Sequence, residues 1–185
     1  MPIFDNVMRY IFHLLLILST LCCTNCMAMM DAETADDYEK STLVRMGDMA
    51  PDFTVELLSG EQVTLSQLQG NTIMLMFFDS TCNDCKIQLG LLNGVLEQFA
   101  GKNFQLLAIS RGESKQTLEQ LVAEKGYRFD VGLDLDQSIY SLYATKYVPR
   151  CFIIDPQGHI IATSIGYSAE DFAQLLDVIL NNLQN

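Results

Sequence analysis

Two spacings of apolar residues alternate along the chain from about residue 53 onward, and they predict strands and helices in turn. Residues 72–78 and 104–110 are almost wholly apolar, which is typical of strands that are buried on both faces. Shorter apolar runs predict further strands at 53–57, 62–65, 127–131, 151–155 and 159–164. The last two flank Pro156-Gln157-Gly158, whose residue types favour the turn of a hairpin.

Between these runs, apolar residues recur three and four positions apart, which predicts helices at 82–100, 114–124 and 136–144. A terminal helix begins after Ser168, because Asp171 stands three positions later in a capping-box pattern. Strands that alternate with helices and end in a hairpin predict an α/β fold with a mixed central sheet flanked by helices.

The first 28 residues have a different composition. Residues 10–21 are almost wholly apolar and follow Arg9, and this run is short for a membrane span of about 20 residues. We therefore predict a signal peptide at 1–28 and a location in the periplasm or cell envelope of a bacterium. Three routes stay open: cleavage after Ala28, an uncleaved anchor, or a lipoprotein held to the membrane by an N-terminal lipid. The cysteines that could carry a lipid are Cys22, Cys23 and Cys26.

Residues 29–42 are acidic and polar, which predicts a flexible leader followed by one folded domain at 43–185. The whole chain has 23 acidic and 11 basic residues, a formal net charge of −12. Binding to nucleic acid needs clusters of lysine and arginine, and this sequence has none, so no nucleic-acid partner is expected.

Two cysteines lie where the strand at 72–78 gives way to the helix at 82–100: Cys82 and Cys85. The first turn of a helix presents unpaired N–H groups and the positive end of the helix dipole, which together stabilise a thiolate. We interpret Cys82 as the attacking thiol and Cys85 as the thiol that resolves a mixed disulfide. The redox group is then the reversible Cys82–Cys85 disulfide, with no other cofactor and no metal. A cut after Ala28 would leave three cysteines, an odd number that forms no disulfide framework.

Two charged residues stand close to the cysteines in sequence. Asp84 places a negative charge that repels a thiolate, whereas Lys86 attracts one. Our hypothesis is that Asp84 makes the disulfide harder to reduce, which would make the protein a reductant. Asp84→Pro would then raise the reduction potential. The alternative is that Asp84 only favours the N-terminus of the helix.

Four features of the sequence occur together in this order: Gly47 followed by Ala50-Pro51-Asp52-Phe53, the strand–Cys82-x-x-Cys85–helix unit, Val148-Pro149 before a strand, and the segment Ile153-Ile154-Asp155-Pro156-Gln157-Gly158. In these features the chain resembles the thioredoxin superfamily, and within it the TlpA/ResA-like envelope thiol–disulfide oxidoreductases of the AhpC/TSA redoxin type. The resemblance covers about residues 46–180. It implies a thioredoxin-like fold with an N-terminal β-hairpin and a central helical insertion.

The resemblance also implies that Val148–Pro149 is a cis peptide bond beside the cysteines, with the backbone of Val148 available to an extended substrate segment. The implied partners are proteins with disulfides or thiols and an upstream electron donor in the membrane. The sequence departs from the family pattern at several positions, which affects the redox potential and the substrate rather than the fold. Thr81 stands where tryptophan is usual, Asn83-Asp84 lacks the common proline, and Gln88, Gly90 and Cys151 replace glutamate, proline and a threonine or apolar residue.

Other functions are compatible with parts of this pattern. A thiol peroxidase of the peroxiredoxin type shares the Ala-Pro-Asp-Phe segment, but Asp79 stands where its threonine is expected. A Cu(I)-binding module would use the soft sulfurs of Cys82 and Cys85, yet the CxxxC spacing and the downstream histidine are missing. A redoxin domain that only binds partners is a third alternative. Cys151 is either a further redox thiol or a buried apolar residue, and the second interpretation is favoured.

Overall fold

The computed structural model describes residues 35–184, so the predicted signal peptide lies outside the described residues. Residues 35–40, within the predicted leader, are helical. The compact unit begins at Ser41, two residues before the predicted domain start, because Ser41 is buried and Thr42 pairs with Ala144. No helix among residues 35–184 is both long enough and apolar enough to span a bilayer.

A seven-stranded mixed sheet forms the centre of the domain, in the order β2-β1-β5-β4-β3-β6-β7. Strands β3, β4 and β5 are parallel, and the other neighbouring pairs are antiparallel. The strands are β1 Thr54–Leu57, β2 Gln62–Thr64, β3 Thr72–Phe78, β4 Phe104–Arg111, β5 Val131–Asp134, β6 Arg150–Ile154 and β7 Ile160–Ile165. The predicted mixed sheet and its N-terminal hairpin, β1–β2, are confirmed.

Four α-helices lie beside the sheet: α1 Asn83–Val95, α2 Lys115–Lys125, α3 Tyr140–Tyr143 and α4 Ala169–Asn182. The predicted helix at 82–100 is α1 followed by a 3₁₀ turn, Leu96–Phe99. Helix α4 begins as the capping box predicts, since the Ser168 hydroxyl accepts a hydrogen bond from the Asp171 amide at 3.0 Å. The insertion between β4 and β6 contains α2, β5 and α3.

Strand β3 is buried on both faces, as its unbroken apolar sequence predicts. Its alternate side chains belong to two cores. Met74, Met76 and Phe78 share one core with apolar residues of α1, α2 and α4. Ile73, Leu75 and Phe77 share the other with residues of the hairpin and α3. Strand β3, from which the loop to Cys82 starts, is therefore held by packing on both faces of the sheet.

Strand β5 lies at Val131–Asp134, later than the predicted 127–131. The prediction was wrong because Gly132 and Asp134 do not look like strand residues. A Cβ at Gly132 would come within 2.8 Å of Val55 Cγ2, so only glycine lets β5 fit between its neighbours. The buried Asp134 carboxylate accepts hydrogen bonds from the amides of Ile139 and Tyr140, at 3.1 and 2.8 Å.

Helix α3 is also shorter than the predicted 136–144, because Gln137 has a φ of 60° and interrupts the helical backbone.

Candidate active site

Cys82 occupies the N-cap position of α1, so its sulfur faces the open N–H groups of the first helical turn. Its Sγ accepts a hydrogen bond from the Cys85 amide at 3.1 Å. This is the position in which a helix stabilises a negative charge on sulfur. Cys82 is half-buried and keeps access to solvent, whereas Cys85 has no exposed surface.

The two thiols therefore have different environments. Burial raises the pKa of the Cys85 thiol well above its usual range, and the hydrogen bond with Cys82 raises it further. Cys85 consequently stays protonated at neutral pH. An accessible sulfur beside a protected thiol suits a reaction in which one attacks first and the other follows.

The Val148–Pro149 peptide bond is cis, as the resemblance implies. The Cys82 thiol donates a long hydrogen bond to the Val148 carbonyl, with 3.6 Å between the sulfur and the oxygen. The Pro149 carbonyl accepts from the Gly166 amide at 2.9 Å, just after β7. The structure thus brings Cys82, Cys85, Val148 and Pro149 together, although 66 positions separate Cys82 from Val148.

Thr81 and Asp79 shape the loop in front of Cys82. The Asp79 carboxylate accepts hydrogen bonds from the Thr81 amide at 2.7 Å and from the Thr81 hydroxyl at 2.6 Å. Partial burial acts to raise the pKa of Asp79, but these hydrogen bonds and the charge of Arg111 outweigh it and lower the pKa. Asp79 is thus an ionised turn residue, which favours the predicted loop role over that of a proton carrier.

Glu113 is a site residue that the sequence analysis missed. Its carboxylate accepts hydrogen bonds from the Ser80 amide at 2.9 Å, from the Ser80 hydroxyl, and from the Ser110 hydroxyl at 2.5 Å. The loop that leads to Cys82 is thereby fastened to the end of β4. The only sequence signal was an acidic residue three positions after a predicted buried strand.

The two charged residues near the cysteines differ in exposure. Asp84 lies in the first turn of α1 and is exposed, so solvent weakens its effect on the thiols. Lys86 is half-buried, and its charge reaches Glu124 of α2. The hydrogen bond from Lys125 lowers the pKa of Glu124 most, and Lys86 adds a smaller lowering.

Cys151 lies inside β6, directly opposite Met76 of β3, and is completely buried. Burial raises the pKa of its thiol to about 12. The Gln88 side-chain amide donates a hydrogen bond to the Cys151 sulfur at 3.2 Å. Both residues replace the family's usual types, and the structure joins them as one buried polar pair.

A family model described as the AhpC/TSA family matches residues 46–163. That segment is more than half of the chain and contains both cysteines of the site and the Val148–Pro149 bond. The chain belongs to the AhpC/TSA family.

Individual relatives show which members of the AhpC/TSA family this protein is similar to. The thiol–disulfide oxidoreductase ResA of Bacillus subtilis (strain 168) is 28% identical over 124 residues, which cover 67% of this chain and 69% of the relative. The solution structure of a candidate protein disulfide isomerase from Bacteroides thetaiotaomicron is 33% identical, with a TM-score of 0.74, and covers 78% of this chain and 94% of that one.

A third similar protein is a candidate thiol:disulfide interchange protein DsbE from Chlorobium tepidum. Its crystal structure is 28% identical, with a TM-score of 0.71, over 76% of this chain and 99% of the other. The predicted thioredoxin-like fold is therefore confirmed. This AhpC/TSA protein is an oxidoreductase of the ResA and DsbE type.

Proposed function

We propose that the chain is an exported thiol–disulfide oxidoreductase that reduces disulfides of envelope proteins through a mixed disulfide on Cys82. One observation carries this proposal: the half-exposed Cys82 sulfur accepts the amide hydrogen bond of the buried Cys85 at the start of α1. That arrangement separates an attacking sulfur from a resolving one.

The proposed reaction has two steps. The Cys82 thiolate attacks one sulfur of a substrate disulfide, the substrate S–S bond breaks, and the released substrate thiolate takes up a proton. The Cys85 thiol then loses its proton and attacks Cys82 Sγ, which breaks the mixed disulfide and releases the second substrate thiolate. The substrate gains two electrons and Cys82–Cys85 becomes a disulfide. An electron donor in the membrane would reduce it again.

The high pKa of Cys85 gives these steps their order. A buried, protonated Cys85 attacks slowly until a mixed disulfide stands beside it. The substrate thiolate that leaves in the second step is a base, and it can accept the proton that Cys85 must lose. The backbone of Val148, beside Cys82, would hold an extended substrate segment during both steps.

Export and anchoring rest on the sequence. The apolar run at 10–21 and the cysteines after it favour a signal peptide, either cleaved or carrying a lipid. Asp84 supports the proposal that the protein acts as a reductant. Its negative charge in the first turn of α1 disfavours the thiolate form, which makes the disulfide harder to reduce.

A redox titration of the full chain tests the proposal. The protein is equilibrated at a series of potentials, and the masses of alkylated peptides report the Cys82–Cys85 disulfide. A two-electron transition below about −200 mV is expected for a reductant, compared with about −120 mV for a strong oxidant such as DsbA. A transition near about −120 mV would mean that the protein oxidises its substrates instead of reducing them. If no Cys82–Cys85 disulfide forms at any potential, the oxidoreductase mechanism fails and Cu(I) binding is the next function to test.

Cys85→Ser provides a second test of the same mechanism. This variant should accumulate a covalent complex with a protein disulfide substrate that dithiothreitol releases, because the mixed disulfide on Cys82 cannot be resolved. Cys151→Ala is the matched control and should accumulate none.

A further inference from the structure

Arg150 follows Pro149 directly and is the first residue of β6, and only 1% of it is exposed. A guanidinium cannot lose its charge at any ordinary pH, so its buried N–H groups need acceptors. Its Nε donates to the Lys146 carbonyl at 2.8 Å. Its two terminal nitrogens donate to the Thr42 hydroxyl, at 2.7 Å, and to the Ser41 hydroxyl.

Ser41 and Thr42 are the first residues of the compact unit, and backbone bonds hold them beside the end of α3. The Leu43 amide donates to the Tyr143 carbonyl at 3.0 Å, and the Thr145 amide donates to the Ser41 carbonyl at 2.9 Å. The start of the domain therefore runs antiparallel to the segment that leads into Val148. Through its hydrogen bonds, Arg150 links Ser41 and Thr42 to Lys146, near the end of that segment.

A second anchor acts on the middle of this segment. The Tyr140 hydroxyl donates to the Tyr147 carbonyl at 2.8 Å, and Tyr147 has a φ of 70°, which a non-glycine residue adopts only when its surroundings require it. Lys146 and Tyr147 are thus held from two sides immediately before Val148. The Val148 carbonyl in turn receives the hydrogen bond from Cys82.

We propose that Arg150 is a positioning residue for the thiol site, and that Ser41 and Thr42 complete it. By fixing the Lys146 carbonyl, the guanidinium holds residues 146–148 so that the Val148 carbonyl faces Cys82 and the backbone stays in place for a substrate segment. The residues that join the leader to the domain thereby belong to the redox site. This inference rests on the proposed function, because it concerns how the same site holds substrate.

Thr42→Val tests the inference in the full chain. The substitution keeps the shape of the side chain but leaves one buried guanidinium N–H without its acceptor, so the loop must shift to satisfy it. We expect KM for insulin disulfide reduction to rise roughly tenfold with little change in kcat, since a hydrogen bond to a charged group is lost. Iodoacetamide should also modify Cys82 faster at neutral pH, because the shifted Val148 carbonyl no longer holds the thiol in a hydrogen bond.

Thr54→Val is the matched control. The same Thr-to-Val change at Thr54 removes a side-chain hydrogen bond far from the thiol site, the exposed one with the Thr64 hydroxyl at 2.8 Å in the β1–β2 hairpin. It should leave KM and the rate of Cys82 alkylation unchanged, and urea unfolding of both variants reports their stabilities. Equal KM values and equal alkylation rates in the two variants would overturn the inference, whatever the stabilities.

Arg150→Lys should have a larger effect than Thr42→Val, since lysine keeps the charge but not the forked donors. If Arg150→Lys does not fold, Thr42→Val carries the test alone. If the wild-type chain does not reduce insulin, the proposed function fails, and the rates of Cys82 alkylation still decide whether Arg150 positions the loop.

Discussion

Cys82 and Cys151 are thiols of the same domain in opposite settings. Cys82 lies at the N-terminus of helix α1 and is half-exposed, and the Cys85 amide donates a hydrogen bond to its sulfur. Cys151 lies in the interior of a strand and is buried with a raised pKa. The difference teaches that position in the fold, and not residue type, decides which sulfur can act as a nucleophile. Of the three cysteines among residues 35–184, Cys82 alone combines solvent access with a helix N-terminus, and it is therefore the one placed to attack first.

The largest expected difference between Cys82 and Cys151 is in the rate of catalysed disulfide reduction. Cys82→Ser should lower the rate of insulin reduction by about 10³-fold or more, because a serine hydroxyl does not form a disulfide. Cys151→Ala should stay within about threefold of the wild type, since Cys151 takes no part in the proposed exchange. A rate loss in Cys151→Ala similar to that of Cys82→Ser would show that Cys151 is a third redox thiol.

Alkylation rates compare the accessibility of Cys82 and Cys151 directly, without a substrate. In the native reduced protein, iodoacetamide should modify Cys82 at least about 100-fold faster than Cys151, because Cys151 is reached only through local opening of the structure. Peptide mass analysis over time measures both rates. In 8 M urea the two rates should become nearly equal. A native Cys151 that reacts as fast as Cys82 would contradict its burial.

The raised pKa of Cys151 predicts a smaller effect, on stability at alkaline pH. The folded state keeps the Cys151 proton up to about pH 12, whereas the unfolded thiol loses it near pH 8.5. The unfolded state therefore binds fewer protons between these values, and the free energy of unfolding falls as pH rises. This contribution is fully present below about pH 8.5, and its slope is at most about 1.4 kcal/mol per pH unit.

Urea unfolding at pH 8, 9, 10 and 11 measures this slope. Cys82 and Cys85 are kept oxidised so that neither titrates. The stability difference between wild type and Cys151→Ala should shrink with rising pH. Parallel curves would mean that the Cys151 pKa is not raised in the folded protein.

The smallest expected effect concerns the charge at Asp84. Asp84→Asn should raise the Cys82–Cys85 potential by about 5–20 mV, since an exposed charge at a helix N-terminus contributes about 0.3–1 kcal/mol and 30 mV corresponds to about 1.4 kcal/mol. Asp84→Pro should act in the same direction. Asp177→Asn, which removes an exposed acid from α4, is the control and should leave the potential unchanged. A potential that stays constant in all three variants would leave Asp84 with only its role at the helix start.

Much of the site could be predicted from the sequence because its signals are local. The apolar run of β3, the spacing of the cysteines and the periodicity of α1 lie within 25 residues of one another. Strand β5 was placed too early because Gly132 is explained only by its close approach to Val55, a contact 77 positions away. Glu113 and Arg150 were missed for the same reason. Their partners, Ser80 and Ser41, are distant in sequence, and nothing near either residue announces the pairing.

The attachment of Ser80 to Glu113 also has a consequence for folding. Glu113 lies 33 positions after Ser80, and Val148 lies 66 positions after Cys82. Because synthesis proceeds from the N-terminus, Cys82 and Cys85 are made well before Glu113 and Val148, the residues that position the loop and the thiol. The thiol site therefore matures only once β4 and β6 have joined β3, and an incompletely folded chain carries the cysteines without their structural setting. The contacts of Ser80 with Glu113 and of Cys82 with Val148 are therefore properties of the complete domain and not of the strand–helix unit alone.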